Sequence, residues 1–88
     1  MIAKIQKRNG AIVDFAVEKI EIAVRKAAKA VGIMDEAVPY TIAQEAVTQL
    51  QEAFLDSIPS VEDVQDIVED ILIQYGYSNL SKAYILYR

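Results

Sequence analysis

With 88 residues, a net charge of −4 and 53% hydrophobic residues, the chain is sized for one domain around one core, and is too acidic for a general affinity for nucleic acid or anionic membrane. It has no cysteine and no histidine, which removes disulfides, zinc ribbons, thiol chemistry, histidine-based triads and the common transition-metal ligands. No apolar run follows the first charges and nothing approaches the ~20 apolar residues of a span, so neither a signal peptide nor a membrane segment is expected, and a cytoplasmic setting is.

The first elements are β. Ile2, Lys4 and Gln6 alternate with Ala3, Ile5 and Lys7, and Ala11 to Phe15 form a second run rich in β-branched residues. Between them lies Asn9-Gly10, the pair that suits a type I′ hairpin turn, with positive φ at both central residues. A hairpin over residues 2–15 follows, roughly 2–8 paired with 11–15. From Val17 the period becomes helical: Val17, Ile20, Ala23, Val24, Ala27, Ala28 and Val31 share a face, and Gly32 supplies the stop. A second helix is expected at about 39–56, with Pro39 in its first turn or Thr41-Ile42-Ala43-Gln44 as a capping box. Ser57-Ile58-Pro59 breaks it. Ser60 reads as the N-cap of a third helix, about 60–75, with acids in its first turn. Ser78 or Asn79 caps a fourth, about 79–87. The economical arrangement is α+β: a single domain, 1–88, in which the N-terminal hairpin caps a bundle of about four helices.

Charge is unevenly distributed. Residues 1–30 hold seven of the nine Lys/Arg against three acids, whereas the remainder holds Lys82 and Arg88 against ten. A local cationic site in an acidic protein suits a small polyanion such as a nucleoside triphosphate. No carboxylate pair reads as catalytic, and Glu62, Asp63, Asp66, Glu69 and Asp70 read as the solvated face of the third helix. Tyr75, Tyr77, Tyr84 and Tyr87 crowd the C-terminal segment, where core packing or a protein interface is favoured over stacking on a base. With no GxGxxG or GxxxxGK[ST] pattern, neither a Rossmann nor a P-loop phosphate cradle is expected.

Lys7-Arg8-Asn9-Gly10, Phe15 five residues beyond that glycine, Lys19-Ile20, Val64-Gln65-Asp66-Ile67-Val68-Glu69 and Lys82-Ala83-Tyr84-Ile85-Leu86-Tyr87-Arg88 together resemble an ATP-cone. That module is the N-terminal allosteric domain of many ribonucleotide reductases and the regulatory half of a bacterial repressor of reductase genes; the flavour is that of anaerobic or cobalamin-dependent reductases. The resemblance implies a non-enzymatic regulatory domain that binds ATP or dATP between hairpin and helices. Its partner would be a reductase catalytic domain or another copy of itself, with neither nucleic acid nor membrane involved. Lys7 and Arg8 would hold phosphate oxygens and Lys19 would reach them from the first helix. Ile5, Phe15 and Ile20 would wall the base and ribose. Gln65, and with it Val61, would face the nucleotide from the third helix, and Lys82 and Arg88 from the last. Magnesium could bridge the phosphates, although no protein ligand is named by these residues. Asn9 stands where the family has Asp, and Ala16 where it commonly has Asp or Asn, which removes a helix cap. The alternative is a nucleotide-independent dimerisation or docking module on an ATP-cone-like fold.

Overall fold

The computed structural model describes residues 2–88; Met1, the first residue of the expected domain range, lies outside the described residues. Two antiparallel strands, β1 (Lys4–Gln6) and β2 (Ile12–Asp14), precede four helices, α1 (Val17–Ala30), α2 (Ala37–Ala53), α3 (Val61–Gln74) and α4 (Ser78–Tyr87), so the class is α+β as expected. Each helix packs on its neighbour in sequence, and α4 closes back on α1. The core they enclose takes Val24, Ala27 and Ala28 from α1, Ile42, Ala43, Ala46 and Leu50 from α2, Val64, Val68, Ile71 and Leu72 from α3, and Leu80, Ala83 and Tyr84 from α4. These are the i, i+3, i+4 stripes of amphipathic helices, each buried against the next.

The hairpin pairs Lys4 with Asp14, Ile5 with Val13 and Gln6 with Ile12. Its turn differs from the expected type I′. Gly10, at φ +88°, is the sole left-handed residue in the loop, and Asn9 is not left-handed. The Gly10 N–H donates to the Lys7 carbonyl at 2.9 Å and the Lys7 N–H to the Ala11 carbonyl at 2.8 Å. That is a type I turn followed by a bulged glycine, the three-residue alternative to a primed turn. Asn9 contributes its side chain, whose Oδ1 accepts the Ala11 N–H at 3.0 Å, a role an Asp would fill equally.

Helix boundaries shift for local reasons. α2 begins before the proposed Thr41 capping box, because Asp35 accepts the Ala37 N–H at 3.0 Å and starts the helix there. It ends at Ala53, and the connection that follows is non-helical up to Pro59, whose carbonyl accepts the Gln6 N–H at 2.9 Å. α4 is capped by neither Ser78 nor Asn79. Gly76, at φ +82°, ends α3 by letting the Tyr77 N–H reach back to the Leu72 carbonyl, and α4 begins directly after Tyr77. α1 starts at Val17, and its N-cap residue Ala16 offers no side-chain cap.

Ser60 does cap α3. Its hydroxyl accepts the Asp63 N–H at 3.0 Å, while its own N–H donates to the Asp63 carboxylate at 2.9 Å. Ser60 also forms a parallel bridge with Gln6, so one residue starts α3 and seats the hairpin. Ser60→Ala should cost about 1 kcal/mol, a fall in Tm of roughly 4–8 °C for a domain of this size. Thermal denaturation followed by circular dichroism checks this, and an unchanged Tm would remove the cap from the account.

Candidate functional site

Period-two alternation puts Ile5 of β1 and Lys7 just beyond it on the same hairpin face as Val13 of β2 and Phe15 just after it. That face looks across a cleft of about 440 Å³ to α1, the first turns of α3 and the end of α4. Of the residues expected at the site, Lys7, Lys19, Ile5, Phe15, Ile20, Gln65, Arg88 and Val61 all line it. Arg8 and Lys82 do not.

Arg8 is the first central residue of the hairpin turn, which carries it away from the cleft to where its Nε donates to the Glu62 carboxylate at 2.5 Å. That bond and its charge hold the Glu62 carboxyl below its ordinary range. Lys82 is exposed on another face of α4. The remaining cations divide in the same manner. Lys4 binds Asp14 across the strands and depresses the Asp14 carboxyl, chiefly through their hydrogen bond. Arg25 is held by Glu36 at 2.9 Å and Glu21 at 2.5 Å, and these bonds raise its pKa. Among the described residues Lys7, Lys19, Lys26, Lys29 and Lys82 have no ion-pair partner, and the first three face the cleft.

Lys26 was not anticipated, although it sits seven residues after Lys19, two turns on along the same helix face. Val13, Ile22, Tyr84 and Tyr87 also line the cleft, and Ile22 and Tyr87, exposed at 46% and 45%, leave apolar surface open within it. Ala16 lines it too, so the N-terminus of α1 abuts the cleft without a side-chain cap, its Lys19 N–H bonded to the Ala16 carbonyl at 3.1 Å and the amides of Val17 and Glu18 left for an anion. The acids of α3 are not all a wet face. Asp63 belongs to the capping box and Glu62 holds Arg8. Glu69 is largely buried, with its Oε2 at 3.3 Å from Arg88 Nε. Arg88 Nη1 in turn donates to Oε1 of Gln65, itself only 8% exposed. The cleft is therefore an apolar slot edged by the unpaired Lys7, Lys19 and Lys26 and by Arg88, with the Lys4-bound Asp14 on its hairpin side. Among the described residues no cluster of three or more His, Cys, Asp or Glu could hold a metal ion, and no helix is long and apolar enough to cross a membrane.

A family model described as an ATP cone domain matches residues 3–88. The chain is 37% identical over 86 residues to a vitamin B12-dependent ribonucleoside-diphosphate reductase of Mycobacterium tuberculosis, covering 98% of this chain and 12% of the relative. The enzyme of the same description from Thermoplasma acidophilum is 37% identical over 95 residues, covering 100% of this chain and 12% of the relative. An anaerobic ribonucleoside-triphosphate reductase of Haemophilus influenzae is 37% identical over 82 residues, covering 93% and 12%. The chain thus spans about an eighth of the length of these curated relatives.

Tyr84 offers an electrostatic probe of the cleft floor. Burial pushes its phenol up from 10.0 to about 12; the Glu69 charge adds to the rise and Arg88 opposes it. Below pH 10.0 the phenol is neutral in the folded and unfolded chain alike, and stability is fully present. As pH rises from 10.0 to about 12 the unfolded chain gives up its proton first. Stability should fall by about 2 to 3 kcal/mol across that window. Urea denaturation at stepped alkaline pH checks this, with Tyr84→Phe expected to flatten the curve; a variant that follows the wild type would assign the loss to other groups.

Proposed function

The chain belongs to the ATP cone domain family, and from that premise we propose that it is a regulatory domain whose cleft binds ATP or dATP and thereby controls the activity or oligomerisation of a ribonucleotide-reductase-type partner. The observation that carries the reading is the coincidence of the unpaired cations Lys7, Lys19 and Lys26 with an apolar slot at one cleft. Lys7, Lys19 and the amides of the α1 N-terminus take the phosphates, joined by Arg88. Ile5, Val13, Phe15 and Ile20 wall the base and ribose. Gln65 Oε1 already accepts from Arg88, so its amide NH2 is the end left for the ligand. Arg8 props the hairpin against α3 rather than meeting phosphate, and Lys82 stays outside. Asp14 is occupied by Lys4, so magnesium would ride on the phosphates alone.

The magnitudes suit a metabolite sensor. Three charge-assisted hydrogen bonds at about 1.5–3 kcal/mol each give roughly 5–9 kcal/mol. Association costs at least ~4 kcal/mol, and burial of the base offsets it. Affinity near micromolar, about −8 kcal/mol, follows. Regulation then requires the occupied and empty forms to bind differently to two assembly states. α4 is placed to link them, since it gives Tyr84, Tyr87 and Arg88 to the cleft while exposing Ile85 and Leu86 elsewhere.

A second reading, docking without nucleotide, draws on the missing cap at Ala16 and on Leu86, which is 83% exposed. Calorimetry with ATP and dATP separates the two. Heat of binding is expected from the wild type, and its absence from a chain with intact circular dichroism would reject the regulatory reading in favour of docking. Lys7→Ala and Lys19→Ala should each weaken binding about tenfold or more, with Tm nearly unchanged. Lys82→Ala should bind as the wild type does.

A further inference from the structure

Gln65 and Glu69 are one helical turn apart on α3, so their side chains leave the helix on the same face. Both meet Arg88, at the end of α4. They differ in what else they touch. Gln65 lines the cleft and Glu69 does not. The Glu69 side chain is 21% exposed, and its Oε2 is buried with no hydrogen-bond partner, facing Arg88 Nε at 3.3 Å. Its neighbours across the helix pair are Tyr84, which is buried, and Ser81, whose hydroxyl donates to the Glu69 carbonyl at 3.4 Å. A carboxylate in this position is too far inside to meet a ligand and too poorly hydrogen-bonded to be explained by solvation. What it does face is the one cation of the cleft that is only 27% exposed.

We propose that Glu69 is a positioning residue for the cleft: from behind the wall, its carboxylate holds the Arg88 guanidinium against Gln65, so that the remaining guanidinium N–H groups face the phosphates of the ligand. A guanidinium has five N–H groups in a rigid fork. One is taken by Gln65, and the Glu69 charge lies 3.3 Å from Nε without a hydrogen bond, so a bond on one side and an ion pair on the other restrain the group and leave its outer edge for an anion. Without Glu69, Arg88 keeps its charge but loses one of two anchors, and must be ordered when the ligand arrives. The lysines of the cleft have no such backing and act as mobile point charges. Arg88 is therefore the cleft's preorganised phosphate contact, and Glu69 the reason for it.

Given the nucleotide reading on which this rests, Glu69→Gln, which keeps shape and removes charge, should weaken ATP binding by calorimetry about tenfold in the wild-type background and less than about twofold in an Arg88→Ala background. A purely structural role would lower affinity equally in both backgrounds, and that result, or a Glu69→Gln chain with wild-type affinity, overturns the proposal. Nitrogen-15 NMR of the ligand-free wild type gives a measurement that needs neither variant nor nucleotide. The Arg88 guanidinium should show restricted rotation, with resolved Nη resonances, and one that averages as freely as that of exposed Arg8 also overturns it. A wild-type chain that fails to bind ATP would instead sink the nucleotide reading, with the NMR result still judging the role of Glu69.

Discussion

The cleft exists because a marginal element is fastened at one place. A two-stranded hairpin is not stable alone in water, and this one joins the bundle through the Gln6 N–H to Pro59 carbonyl bond, the adjoining bridge to Ser60 and the Arg8–Glu62 pair. Partly buried Ile2, Ile5 and Phe15 add apolar contact with the core. A single backbone hydrogen bond contributes about 1 kcal/mol net and an exposed ion pair about 1 kcal/mol or less. The seat is thus weak beside the four-helix core. Its position matters more than its strength: the tether falls on the residues that start α3, and the slot lies between that hairpin, α1 and the first turns of α3. One wall of the site is then free to open locally without unfolding the bundle, a useful property where a ligand must enter and where occupancy must be felt.

Electrostatics follow from the same geometry. The chain is acidic outside its first 30 residues, yet its acids do not neutralise the slot, because Glu62, Glu21 and Glu36 are engaged by Arg8 and Arg25 and do not line it, and Asp14, the one acid among its lining residues, is paired with Lys4. Pairing there leaves Lys7, Lys19 and Lys26 as a local excess of positive charge between low-dielectric walls, where a field is focused rather than screened. An acidic surround also discourages long polyanions, since nucleic acid reaching past the slot would meet like charge. A small anion fits beside Lys7, Lys19 and Lys26.

Much of this was legible in the sequence, and the failures have definite causes. Helical periodicity located all four helices, since their apolar stripes are the core itself. The glycine stops and the Ser60 cap were visible because each has a local chemical signature. Asn9-Gly10 announced a hairpin but not its turn type, because one left-handed residue and an Asn side-chain bond satisfy the loop as well as two left-handed residues do. Lys7 and Arg8 looked equivalent as a dipeptide, yet the turn begins between them, leaving Lys7 in line with the strand and swinging Arg8 out to Glu62. Lys82 and Arg88 are six residues apart, about 120° around a helix, so both could not serve one cleft. Tyr84 and Arg88, four apart, could. Lys26 was recoverable from its spacing to Lys19. Glu69 was not, because nothing in a run of acids tells which of them a terminal arginine from another helix will cover.

Under the proposed function, ATP and dATP differ by one ribose hydroxyl, and this limits what a single cleft can do. A hydrogen bond gained or lost at that hydroxyl changes binding by about 0.5–1.5 kcal/mol, or roughly tenfold at most. A ligand shifts a two-state equilibrium only by its differential affinity for the two states, and a swing from nearly all of one to nearly all of the other needs about 10⁴-fold. One domain reading one hydroxyl cannot supply that. Several copies coupled in one assembly can, because their differentials multiply, so discrimination between the two nucleotides has to be expressed through oligomerisation rather than within the domain. The small α4 surface that exposes Ile85 and Leu86, on the helix that also carries Arg88 and Tyr84 into the cleft, gives such coupling a short path.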